Sequence, residues 1–288
     1  MTKRKLRHRN ELNATLMAMS ISAKRVAYLA MIQLPFDEEK GRLIFEEDKT
    51  YKVSAGEYAE MCDVSTSMAY KQLKEGIREL RSTAVEIPKS HLGDDLDFKD
   101  EPDDTIVMFS LADYCSYSDG EGFVKLRFHR KMKFLIAELE RKFTTQYLLS
   151  AVRLPIGNAN NLYLLLREKI GEGKFSWFDI TFDELKSKLM ISSGGVYDSY
   201  MHFNNNFFKR SVRQILDKTE FSKIEMEITE RINRKAHKLR ISYAYTEQDK
   251  HQLDSMLKKS GGSKSENKEN VPSKRALEMR SEVEKLNT

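Results

Sequence analysis

Twice in 288 residues the chain writes the same order of signals: a capping box, a short helix, a polar turn, a longer one-sided helix and then strand-rich segments. The first box is Ser54-Ala-Gly-Glu57 and the second Thr181-Phe-Asp-Glu184. In each, the hydroxyl and the carboxylate satisfy backbone donors that a helix start leaves open. After the first box, apolar residues Tyr58, Ala59, Met61 and Cys62 make a short helix, Asp63-Val-Ser65 a turn, and Met68, Ala69, Leu73, Ile77 and Leu80 a helix over 66–80 buried on one side. After the second, Leu185 and Leu189 are followed by a turn containing Ser192, Ser193, Gly194 and Gly195, and then by a long helix over 198–218. Short helix, tight turn and longer helix make a helix-turn-helix, and strands after it make a winged helix.

The flanking segments fit that reading. Helical spacing runs over 22–34, with Ser22 as the expected N-cap and Pro35 as the stop. Further helices are expected over 144–153 and 160–170, with Gly171 ending the latter. Strands are expected at 50–53, 82–87, 105–114, 123–128, 175–179, 223–229 and 238–245. A basic hairpin, residues 231–237, joins the last two. The fold class is therefore α+β, with two tandem winged-helix domains at 1–135 and 136–247. Residues 248–288 make a polar tail whose composition cannot bury enough apolar area to offset ordering, so disorder is expected there.

Charge is informative through its distribution rather than through the total of +5. Residues 1–9 carry Lys3, Arg4, Lys5, Arg7 and Arg9 without an acid, which reads as a flexible basic arm. Residues 199–240 carry ten Lys or Arg against five Asp or Glu, leaving the rest of the chain net negative. Much of that negative charge is the run Asp94, Asp95, Asp97, Asp100, Glu101, Asp103 and Asp104, expected to point away from a polyanion that the basic faces meet.

Base-reading chemistry concentrates on the second long helix. Asn204, Asn205, Asn206, Lys209, Arg210, Arg213 and Gln214 share it with Phe203, Phe207, Phe208, Val212, Ile215 and Leu216, the set expected to pack inward. Asn and Gln can read adenine and Arg can read guanine bidentately in the major groove; a solvated amphipathic face is the plainer alternative. On the first long helix Ser67, Tyr70, Lys71, Lys74 and Arg78 are the candidates, the cations lying three or four apart on one stripe. Ser65 and its neighbours fit phosphate contact or simple capping. Arg231, Arg234, Lys235, His237 and Lys238 suit phosphate or minor-groove contact by the wing.

Enzyme signatures are absent. There is no phosphate-binding G-x-x-x-x-G-K-[ST], and Gly171-Glu-Gly-Lys174 reads as a helix-end turn. The six histidines, His8, His91, His129, His202, His237 and His251, are scattered without the paired metal motif of a rolling-circle nicking enzyme. Cys62 and Cys115 have no ligand partners at metal spacing and read as buried free thiols. No metal, cofactor or catalytic residue is expected, and no apolar run approaches the roughly 20 residues of a membrane span. With no secretory signal, the expected location is cytoplasmic.

The strings Lys5-Leu-Arg-His-Arg-Asn-Glu-Leu-Asn13, Ser22-Ala-Lys-Arg-Val-Ala-Tyr28 and Ser67-Met-Ala-Tyr-Lys-Gln-Leu-Lys-Glu-Gly76 resemble the π-type replication initiators of iteron plasmids. Lys142-Phe-Thr-Thr-Gln146, Leu162-Tyr163 and Phe208-Lys-Arg-Ser-Val212 extend the likeness over about residues 3–245. The resemblance implies a non-enzymatic protein whose two recognition helices, 198–218 foremost and 66–81 second, enter successive major grooves of one origin repeat. It implies a monomer that starts replication and a homodimer, joined through the N-terminal domain, that represses its own gene at an operator inverted repeat. Host initiator and replicative helicase are the implied protein partners. A double winged-helix transcriptional regulator with no initiator role is the alternative reading.

Overall fold

The computed structural model describes residues 4–39, 42–91, 102–137, 139, 143–155 and 157–246. The acidic stretch 92–101 and the tail from 247 lie outside them, and so do the expectations made for both. The chain begins with β1 (Lys5–Arg9), α1 (Asn13–Ala18) and α2 (Ile21–Met31), followed by the small hairpin β2 (Phe36–Asp37) and β3 (Arg42–Leu43). Then come β4 (Tyr51–Ser54), α3 (Ala55–Cys62) and α4 (Thr66–Ser82). Ser54 Oγ accepts from Glu57 N at 3.2 Å, Asp63 breaks α3 in the left-handed region (φ 56°), and Ser65 Oγ accepts from Met68 N at 3.2 Å to start α4. Met68, expected on the packed stripe, is 45% exposed, while Ala69, Leu73, Ile77 and Leu80 are buried as expected. Gly76 lies on the same side, where a Cβ would stand 2.7 Å from the Ser22 carbonyl oxygen. Close passage of α2 over α4 therefore requires glycine there. Ser22 is buried in this crossing, and the N-cap of α2 is Ser20, whose Oγ accepts from Ala23 N, two residues earlier than expected.

Beyond α4 run β5 (Ala84–Pro88), β6 (Ile106–Ser110), β7 (Ala112–Tyr117), β8 (Phe123–Phe128) and the short α5 (Lys133–Ile136). The apolar segment 105–114, read as one strand, is two. β6 pairs with β5, and β7 pairs with β8 in the antiparallel sheet β4-β8-β7.

The second winged helix follows β9 (Phe143–Tyr147), α6 (Leu148–Arg153) and α7 (Gly157–Gly171). It comprises β10 (Trp177–Thr181), α8 (Phe182–Lys188), α9 (Tyr200–His202), a π-helical turn (Phe203–Phe208), α10 (Lys209–Lys218), β11 (Phe221–Ile232) and β12 (Lys235–Tyr245). Thr181 Oγ1 caps α8 through Glu184 N at 3.2 Å, and the sheet order is β10-β12-β11. α7 ends on Gly171, as expected, and Gly173, at φ +85°, turns the chain away from it.

Two expectations are corrected together. Residues 143–147 form a strand rather than the start of a helix, and residues 5–9 form its antiparallel partner rather than a flexible arm. Phe-Thr-Thr-Gln-Tyr favours the extended backbone, and the cations of the arm alternate with Leu6 and His8, both buried. His8 is fully buried: its Nδ1 donates to the Arg9 carbonyl (3.1 Å) and its Nε2 accepts from Gln146 (3.0 Å). Burial holds its pKa down at about 4.

Buried polar bonds bind α7 to the first half of the chain. Lys24 Nζ donates to Asn161 Oδ1 at 2.5 Å, Asn161 Nδ2 to the Met17 carbonyl at 3.0 Å, and Asn13 Nδ2 to Glu168 Oε2 at 2.6 Å. Arg25 Nε donates to the Val152 carbonyl at 2.7 Å. Such groups are tolerated inside only because each charge finds a partner. Cys62 is buried and Cys115 only half-buried; both are free thiols, pushed up to about 12 and 11 by burial.

Candidate nucleic-acid interface

The helical segment 200–218 owes its shape to two adjacent phenylalanines. In an α-helix, consecutive residues point about 100° apart, so Phe203, Phe207 and Phe208 would spread over a broad arc of the helix surface. The π turn widens the spacing, and Phe203, Phe207, Phe208, Ser211 and Ile215 are all buried. Phe203 stacks on Phe207 with centroids 5.1 Å apart, while Phe182 and Tyr197 meet this pair edge-on at 5.3 and 5.8 Å. The opposite face presents Asn205, Asn206, Lys209, Arg210 and Arg213, all exposed. Lys209 Nζ donates to Asn205 Oδ1 at 3.0 Å. Asn204 and Gln214 are half-buried on the flanks, Asn204 lining a groove between α10 and β11. Val212 is only half-buried and Leu216 is 38% exposed in that groove, which corrects the expectation that both pack inward.

The wing turns on Asn233 and Arg234, both at positive φ (49° and 64°), between paired Ile232 and Lys235. That is the two-residue turn whose twist suits a hairpin. Arg231, Arg234 and Lys235 are exposed and Lys238 half-buried. Between the wing and the start of the helical segment 200–218 opens a cleft of about 980 Å³, lined by Tyr200, Met201, Arg231, Arg234 and Lys235 among others. Met201, 62% exposed, stands at the head of the exposed row that continues through Asn205, Lys209 and Arg213. A methionine carries no polar or charged group, so residue type alone does not mark it for DNA contact.

On α4, Ser67, Tyr70, Lys71 and Arg78 are exposed. Two of its cations are already engaged: Lys74 bridges Asp119 at 2.8 Å, and Arg78 donates to the Tyr117 hydroxyl with its guanidinium 5.2 Å from the ring. Tyr117 and Asp119, at the end of β7 and in the following turn, were not singled out from the sequence. On the outer side of the same sheet, Lys52 and Lys125 face each other across β4 and β8 and flank the Phe123 ring at 4.0 and 5.4 Å. No group of His, Cys, Asp and Glu among the described residues could hold a metal ion, and no described helix is long and apolar enough to cross a membrane.

Residues 5–167 match the family described as "Initiator Replication protein, WH1", and residues 181–243 that described as "Initiator Rep protein, WH2". The chain belongs to the initiator replication protein family. Among relatives of this initiator, an Escherichia coli "PI protein" is 30% identical over 269 residues, covering 86% of this chain and 85% of its own. An Escherichia coli "Uncharacterized 27.6 kDa protein" is 26% identical over 220 residues, covering 75% and 86%. The solved structure "Crystal structure of Pi initiator protein in complex with iteron DNA" superposes with a TM-score of 0.72 at 28% identity, covering 86% of this initiator and 99% of that chain. The tandem winged-helix architecture read from the two capping boxes is thereby established, and the plasmid-initiator resemblance with it.

Proposed function

We propose that this initiator binds repeated DNA sites of a plasmid origin as a monomer, each winged helix placing its long helix in one of two successive major grooves. In the second domain Asn205, Asn206, Arg210 and Arg213 read base edges, and Lys209 with the wing cations Arg231, Arg234, Lys235 and Lys238 grips phosphate. In the first, Ser67, Tyr70 and Lys71 approach DNA, while Lys74 and Arg78 hold the β7–β8 turn against α4. The observation that carries the reading is the exposed Asn/Arg face on a helix whose other face is locked by phenylalanines. The likeness to a homologue solved on iteron DNA supports it. A dimer through the N-terminal domain then represses the initiator's own gene.

The test is a footprint of the purified protein on DNA upstream of its own gene, against random competitor, at two salt concentrations. Regularly spaced direct repeats should be protected. About six phosphate contacts give a slope of roughly −5 in log affinity against log salt. Protection of a lone inverted repeat would leave a repressor without initiator role.

A further inference from the structure

Within the reading just given, we propose that Met201 is a specificity-determining residue that packs on the C5 methyl of a thymine. It sits in the first turn of the reader helix, the part of a helix-turn-helix that meets base edges. Four residues before Asn205, it stands on the same exposed row. The backbone around it is anchored on either side: Tyr200, just before it, meets the Phe182 ring edge-on at 5.8 Å, and Phe203, two residues after it, is fully buried. The backbone is thus held while the thioether is 62% exposed at the mouth of a cleft whose rim carries Arg231, Arg234 and Lys235.

Those cations suit phosphate, but a thioether offers phosphate nothing. In the major groove the thymine methyl is the one apolar group on a base edge, and methionine's unbranched, flexible chain adapts to reach it. The first domain shows the same feature, with Met68 in the first turn of α4 at 45% exposed.

The experiment uses the full chain and a duplex copied from the footprinted repeat, with each thymine replaced singly by deoxyuridine, which lacks only the methyl. One thymine should cost about four-fold in affinity when its methyl is removed, the worth of one buried methyl group. Met201→Ala should lose a comparable factor on the unmodified repeat, become indifferent to uracil at that position and keep its affinity for random duplex. Met68→Ala should still discriminate that same position. The proposal is overturned if no thymine shows the effect, or if Met201→Ala remains as sensitive as the parent to the same uracil. If the parent binds the unmodified repeat no better than random DNA, the base-reading function itself falls.

Discussion

The guanidinium of Arg167 on α7 meets the carboxylate of Glu220 at 2.9 Å, with each side chain only 2% exposed. Glu220 immediately precedes β11, just after α10, so this pair ties the end of α10 to α7. Ser150 Oγ and the Tyr163 hydroxyl also donate to Glu220, at 2.7 and 3.1 Å, and Arg167 Nε donates to the Thr145 carbonyl at 2.6 Å. Glu220→Leu alone strands a buried cation and should lower unfolding free energy by about 3–5 kcal/mol. Arg167→Met combined with Glu220→Leu should cost less than Glu220→Leu alone. Urea unfolding of the parent and the two variants checks the order, and a loss in the double variant as large as or larger than that of Glu220→Leu would contradict it.

Burial lowers the Lys24 ammonium to about 7 from the ordinary 10.5. Between those values the unfolded chain holds a proton that the folded form has released, so stability rises with pH across this window. The rise from this one group approaches about 1.4 kcal/mol per pH unit at its steepest. Below pH 7 the folded form carries the charge too, and the contribution levels off at its least favourable. Lys24→Met should flatten the parent's rise between pH 7 and 10, measured as unfolding free energy at unit intervals. Parallel curves would show that Lys24 keeps its proton inside.

Arg213 lies on the exposed row of α10. Arg213→Ala should weaken binding to the footprinted repeat by about 1–3 kcal/mol, the worth of one bidentate base contact, with a smaller loss on random duplex. Equal losses on the two DNAs would place Arg213 on phosphate alone.

Arg234 occupies the left-handed region at the wing tip, at φ 64°. Glycine adopts that conformation without strain, so Arg234→Gly should stabilise the protein by up to about 1 kcal/mol. It should also weaken binding at low salt, because one cation is gone from the wing. A melting curve and a titration at two salt concentrations read both effects, and unchanged affinity at low salt would remove Arg234 from the interface.

What could be read from the chain follows the range of the forces involved. Capping is local, and the Ser54 and Thr181 hydroxyls accept from Glu57 N and Glu184 N as their spacing predicts. The first residue of α2 was misplaced because Ser20 and Ser22 are both good caps. The choice is made by Gly76, more than fifty residues away, which draws Ser22 into the crossing of two helices. Residues 143–147 read as helix because their extended form depends on a partner strand, residues 5–9, more than 130 positions earlier. The π turn escaped notice since Phe207 and Phe208 look like alternatives on an α-helical face until both are seen buried. Residue types pointed to Asn205, Asn206 and Arg213, which are exposed, but could not show that Asp119 already neutralises Lys74.

The pairing of β1 with β9 also orders events during synthesis. Lys5 leaves the ribosome about 140 residues before Tyr147, its partner. At 5–20 residues per second, the first strand waits roughly 7–28 s with Leu6 and His8 uncovered. That strand is thus locked only once β9 has emerged, about halfway through the chain, and translation speed sets how long its edge stays open to a neighbouring chain.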